Sequence, residues 1–196
     1  MTTPTQLATV DYTILITDED LTYVGDPIMA WTYIDVTLRF NEPGTGLFTV
    51  PGFSWIVSQI AAGRRVVMIR NGSLLISGPI EKWIHERSND GENAGVGRIT
   101  VHFSDDLATI AARMTYPDPA ATIEGQMVDR WQYTGDAEAG VLNLISLNAG
   151  PTALTARRIP HLVVAAPVGA GTAVTVSAQR MQPLLDVARS MAEIGG

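Results

Sequence analysis

Asn71-Gly72 stands between two apolar-rich runs, Arg65 to Arg70 and Leu74 to Ser77. Both residues enter the left-handed backbone region that a type I′ turn demands, so the pair predicts a tight β-hairpin and with it an antiparallel sheet. Upstream, Ile34, Val36, Leu38 and Phe40 alternate with Asp35, Thr37, Arg39 and Asn41. That period of two is the pattern of a strand with one buried and one wet face. Glu42-Pro43-Gly44-Thr45-Gly46 then supplies a turn, Leu47 to Val50 is expected to return beside the strand, and Pro51-Gly52 ends it.

The same reasoning extends along the chain. Tyr12 to Thr17 reads as a strand, Asp18-Glu19-Asp20 as a turn, and Leu21 to Val24 as the second arm of a hairpin. Phe53, Ile56, Val57 and Ile60 recur at helical spacing, predicting a short helix from near Ser54 to Gly63. A strand is expected from Ile80 to Arg87, then a polar loop over 88–97, then a strand in which Ile99, Val101 and Phe103 alternate with Thr100, His102 and Ser104. Ser104 suits an N-cap, with Asp105 and Asp106 in the first turn and Leu107, Ile110, Ala111 and Met114 as the apolar stripe. This helix stops before Tyr116-Pro117-Asp118-Pro119, where a domain boundary is placed.

Beyond it, Glu138 to Leu147 predicts a helix closed by Asn148-Ala149-Gly150-Pro151. Ile159 to Ala166 and Thr172 to Ser177 predict strands around a loop at Pro167 to Gly171. Met181 to Ile194 predicts a last helix with Leu184, Leu185, Val187, Ala188 and Met191 inward; its apolar face calls for strands beyond the chain, as in the front part of a longer protein. The fold class expected is mainly β with short helices: an antiparallel β-barrel-like N-terminal domain over residues 1–118, of about seven or eight strands, followed over 119–196 by the start of a smaller α+β domain.

Composition narrows the chemistry. The chain of 196 residues has no cysteine, so disulfides, thiolate metal sites and thiol nucleophiles are excluded. Its net charge of -7 argues against specific nucleic-acid binding and against an anionic membrane surface. Met1 to Val10 has neither the basic start nor the apolar run of a signal peptide, and no stretch of about 18 apolar residues predicts a membrane span.

No catalytic, metal or cofactor residues emerge. His85, His102 and His161 lack metal-ligand spacing; if the strands holding His85 and His102 are neighbours, the two rings could face one another as a proton-shuttling or dinuclear pair. Asp18-Glu19-Asp20 and Asp105-Asp106 read as turn and cap residues rather than an acid-base pair, because neighbouring carboxylates point apart. Gly-x-Ser-x-Gly, Ser-x-x-Lys, His-Glu-x-x-His and Walker-type motifs are all missing. Gly169-Ala170-Gly171 lacks the rest of a dinucleotide fingerprint. Asn71-Gly72-Ser73 matches a glycosylation acceptor, but the turn already accounts for it. Trp31, Tyr33, Trp55, Trp83 and Trp131 can serve a sugar-binding surface, yet their apolar neighbours favour core packing. Trp83, opposite in parity to Ile80 and Ile84 around an expected bulge, is a candidate exposed interface anchor.

Several stretches carry a family resemblance. Asp11 to Ile14 with Leu21 to Gly25, Asp35 to Gly46, Arg65 to Gly72 with Leu75 to Ile80, and Ser104 to Leu107 through Met114 to Pro119 are similar to minor tail proteins of long-tailed phages of actinobacteria. The similarity weakens over Ala120 to Asp136, and returns at Ala149 to Leu154, Arg157 to Pro160 and Gln182 to Asp186. The resemblance implies a structural protein, the hub of the tail tip or baseplate, with an N-terminal β-barrel, no enzymatic activity and no cofactor. It implies a homotrimer that closes the tail tube, contacts the distal tail protein ring, the tape measure protein and other tail-tip proteins, and lies at the virion tail tip after synthesis in the host cytoplasm. Strand edges and loops offer Arg39, Asn41, Arg70, Trp83 and Arg87 as interface residues. The alternative is a carbohydrate- or receptor-binding β module; a cell-wall-cutting enzyme lacks the required constellation of nucleophile, base and orienter.

Overall fold

The computed structural model describes residues 10–87 and 96–196. The polar lead-in and most of the polar loop expected over 88–97 fall outside the described residues. Contacts gather the chain into two units, one running through Arg39 and resuming at Gly44–Asp105, the other comprising Phe40–Pro43 and Asp106–Gly196. The helix after Asp106, expected within the first domain, thus counts with the second.

In the first unit, six strands form one antiparallel sheet: β1 (Tyr12–Thr17), β2 (Tyr33–Thr37), β3 (Thr45–Pro51), β4 (Arg65–Arg70), β5 (Ser73–Glu86) and β6 (Arg98–Ser104), in the order β1-β4-β5-β6-β3-β2. The sheet is an open, curled half-barrel. The Asn71-Gly72 hairpin forms as the sequence dictates, with φ of 50° and 78° at the two residues. Asn71 adds a second function, since its side-chain Oδ1 accepts from Asp11 N–H at 3.0 Å while its own N–H donates to Asp11 O at 2.9 Å.

β5 makes the curl. The expected strands Leu74 to Ser77 and Ile80 to Arg87 are one continuous strand whose first half pairs with β4 as far as Pro79 and whose second half pairs with β6 from Ile80. The register slips between Ile80 and Lys82, the bulge expected near Trp83; such a bulge bends a strand and increases its twist. Inside the curl, Phe48, Val101 and Phe103 have almost no exposed surface, and full burial of side chains this size stabilises by about 1.5–3 kcal/mol each.

Three expectations are corrected here. Leu21 to Val24 is not a strand: Asp18 Oδ1 accepts from the N–H groups of Asp20 and Thr22, and only an isolated bridge, Thr17 to Tyr23, pairs across. β2 ends at Thr37, its last residue paired with β3, which leaves Leu38 and Phe40 at 59% and 90% exposure instead of facing the core. The helix expected from Ser54 is a single turn, α1 (Ser54–Val57), after which the bonds from Gln59 N–H to Ile56 O and from Ile60 N–H to Val57 O tighten to three-residue spacing.

The second unit contains α2 (Leu107–Ala111), β7 (Arg130–Asp136), α3 (Ala137–Asn148) and β8 (Ala173–Gln179), and ends in α4 (Leu184–Gly195). α2 begins later than expected because Ser104 remains the last residue of β6 and so caps nothing. Asp136, at the end of β7, accepts from Ala139 N–H at 3.1 Å and starts α3. β7, which the sequence pattern does not announce, pairs antiparallel with β8. Ile159 to Ala166 is not a strand. α4 buries the expected residues, and α2, α3 and β8 pack against it.

The proline-rich exit after α2 is tied down within this unit. Asn148, 1% exposed, accepts from Tyr116 N–H and donates to Leu144 O. Gln126 bonds both the N–H and the carbonyl of Asp118. The Arg157 guanidinium lies 3.8 Å from the Tyr116 ring centroid and donates to Pro119 O.

Candidate assembly surface

The open sheet leaves backbone edges without a strand partner. β1 is an end strand, but residues beyond it cover part of its outer edge: Ile28 N–H donates to Ile14 O and Val24 N–H to Ile16 O, both at 2.8 Å. β2, the opposite end strand, pairs only with β3 among the described residues. Once β4 has ended, the second half of β5 pairs only with β6 among the described residues. Unpaired N–H and C=O rows of this kind are templates for another strand.

Paired residues on adjacent strands share a face, so register fixes what each side presents. On the face away from the core, one row runs Ile84, Thr100, Thr49, Tyr33. The Thr49 and Thr100 hydroxyls are 3.1 Å apart, while Ile84 and Tyr33 are exposed at the row's two ends. Beside this row Glu86 pairs with Arg98, and that hydrogen bond, with the carboxylate's charge, raises the guanidinium above its ordinary pKa. An open groove of about 490 Å³ lies at this end of the sheet, bordered by Tyr33, Pro51 and Arg98.

The expected interface residues are all exposed but do not form one patch. Arg39 and Asn41 lie in the β2–β3 connection, Asn41 with φ of 56°. Arg70 ends β4 beside the hairpin turn, its guanidinium 5.9 Å from the Tyr12 ring centroid. Trp83 and Arg87 belong to the other end of β5. Trp83 is in register with Val101 and Phe48, on the core-facing side, yet is 41% exposed because β4 no longer flanks β5 there.

Core packing fails for most of the aromatic residues assigned to it. Trp131 is buried and stacks on Tyr133, and Trp31 is half-buried, donating from Nε1 to Tyr12 O. Tyr33, Trp55 and Trp83 are exposed, because they occupy an edge strand, a single-turn helix and an unflanked half-strand. Local sequence does not report which strand edges stay open. The histidine pair also dissolves: β5 and β6 are neighbours, but His85 aligns with core-facing Ile99 and His102 with Lys82 on the opposite face. No group of three or more metal-ligating side chains occurs among the described residues.

No curated protein matches the chain. Among solved structures it is similar to the 43 kDa tail protein of prophage MuSo2 from Shewanella oneidensis, at 12% identity and a TM-score of 0.53, over 96% of this chain and 50% of that one. A tail protein from Neisseria meningitidis MC58 is similar at 11% identity and a TM-score of 0.45, over 69% of this chain and 33% of the other. The chain therefore spans half or less of the length of these proteins, and the Shewanella likeness is one of fold. Residues 13–196 match the family described as Siphovirus ReqiPepy6 Gp37-like protein. With nearly the whole chain inside that match, it belongs to this family.

Proposed function

We propose that the chain is a hub component of the tail tip of a long-tailed actinobacterial phage, where three copies close the end of the tail tube. A distal tail protein ring sits above it and the end of the tape measure protein within it, with other tail-tip proteins bound around it. The observation that carries this reading is the open half-barrel with unpaired edges at β2 and the second half of β5, on a chain of a tail protein family. A subunit of this kind completes its sheet by association, and strand addition across a ring is a direct route. The Shewanella protein, itself a tail protein, supports the same assignment through its fold. The net charge of -7 suits a passage for DNA, since carboxylates on its wall repel phosphates.

Gold-labelled antibody against the chain tests the reading on purified particles. Gold at the tail tip is the expected result; particles without gold, and the protein free in the lysate, overturn it. Exposed Tyr33, Trp55 and Trp83 favour a second reading, a module that binds a host glycan or receptor. Saturable sugar binding by the isolated chain, lost in a Trp83→Ala variant, is the result that would support it.

A further inference from the structure

Ile159 to Ala166 has the composition of a strand but, among the described residues, no strand partner. Among the described residues, no N–H or C=O of Val163 to Ala166 makes a backbone–backbone hydrogen bond. The segment is nevertheless held in place, because Glu138 Oε2 accepts from the N–H groups of Val168 at 3.0 Å and Ala170 at 2.8 Å just beyond it. Val163 is 84% exposed and Val168 85%. From Leu162 to Val174 there is no charged residue at all. An apolar, anchored segment with unpaired backbone is a strand awaiting a sheet edge.

Resting on the trimer reading above, we infer that residues 162–166 of one copy add as a strand to the β2 edge of the next copy. A ring closes through heterologous contacts, in which each subunit offers two different, complementary surfaces. This chain carries both: the unpaired segment and the free edge. Charge selects the contact as well. Copies bearing -7 each repel one another, so they meet best where charge is sparse. β2 has one charged residue, Asp35, and an exposed Tyr33 to lie against Val163. The free half of β5 carries Glu81, Lys82 and Glu86, and so suits this uncharged segment less well than β2 does. The β8 edge is uncharged too, but its middle exposes the hydroxylic Thr175 and Ser177 rather than large apolar side chains. Aromatic and β-branched cross-strand pairs are the stronger ones.

The absence of cysteine makes the test clean. Copies carrying Val163→Cys are mixed with copies carrying Tyr33→Cys under air oxidation, with Val163→Cys plus Thr175→Cys as the comparison, and the mass of the unmodified chain is followed by analytical ultracentrifugation. The expected result is a trimer, with mixed disulfide dimers forming for the first pair in preference to the second. In a third variant, Val163→Glu, an uncompensated carboxylate at the contact weakens the trimer by about tenfold or more, while circular dichroism stays unchanged. A trimer in which Val163 links to Thr175, or only to itself, or in which Val163→Glu changes nothing, overturns the inference and leaves the hub reading standing. A chain that remains monomeric at all concentrations overturns both.

Discussion

The Asp105 carboxylate accepts from Gly44 N–H at 2.7 Å while Asp105 N–H donates to Gly44 O at 3.0 Å. This two-way clasp joins residues 61 apart in sequence, immediately beyond the pairing of β3 with β6. Asp105, which the sequence suggests as a helix-dipole residue, instead extends the sheet. Hydrogen bonds to a charged acceptor contribute more than neutral ones, so Asp105→Ala is expected to cost about 1.5–3 kcal/mol, with Asp105→Asn recovering part. Urea denaturation checks this, and an unchanged midpoint for Asp105→Ala would mean the clasp contributes nothing.

A second close approach lies at Gly46, which pairs with Phe103 across the β3–β6 ladder. A methyl group on Gly46 would enter the Phe103 ring, with even Cε2 only 2.9 Å from the position its carbon would take. Phe103 is packed beside Phe48 and cannot retreat without disturbing the core. Gly46→Ala is therefore expected to destabilise by about 1–3 kcal/mol through overpacking. Combining it with Phe103→Leu should cost less than the two single changes added together, and strict additivity in thermal unfolding would rule out the steric cause.

Glu138 in the first turn of α3 holds the loop before β8 through two backbone donors on one carboxylate oxygen. Glu138→Ala removes both bonds at once. Amide exchange at Val168 and Ala170 should accelerate by about tenfold or more, the equivalent of about 1.4 kcal/mol, while the β7–β8 ladder keeps its protection. Equal acceleration at both places would show that the change loosens the whole unit rather than the loop.

How far the sequence can be read follows the range of the interactions. The Asn71-Gly72 turn and the alternation in β3 and β6 are local, and they fold as the pattern dictates. Gly78-Pro79 looks like a break between two strands, yet Pro79 is the last residue to pair with β4 before the strand passes to β6. Proline is tolerated there because the strand changes partners. β7 escapes the pattern although Trp131 and Tyr133 alternate with Arg130, Gln132 and Thr134, because Gly135 and the polar positions dilute it. Ile159 to Ala166 has strand propensity, but propensity cannot supply a partner. Of the candidate assembly surface, the Trp83 bulge is legible; the open edges are not, since they depend on where distant strands end.

The two tryptophans Trp131 and Trp83 separate stability from assembly. Trp131 is 6% exposed and stacked on Tyr133 with ring centroids 5.8 Å apart, so Trp131→Ala is expected to remove about 3–5 kcal/mol from the isolated chain. Trp83 packs on only one side, and at 41% exposure its truncation forfeits less buried area, about 1–2 kcal/mol. In an assembled tail the order reverses if the free half of β5 is a contact, because an aromatic anchor half-covered in the monomer becomes fully covered there. Folded Trp83→Ala chain should then be lost from particles while retaining most of its thermal stability. Normal incorporation of the Trp83→Ala chain would remove Trp83 from the interface and leave it as a surface residue over the open end of the sheet.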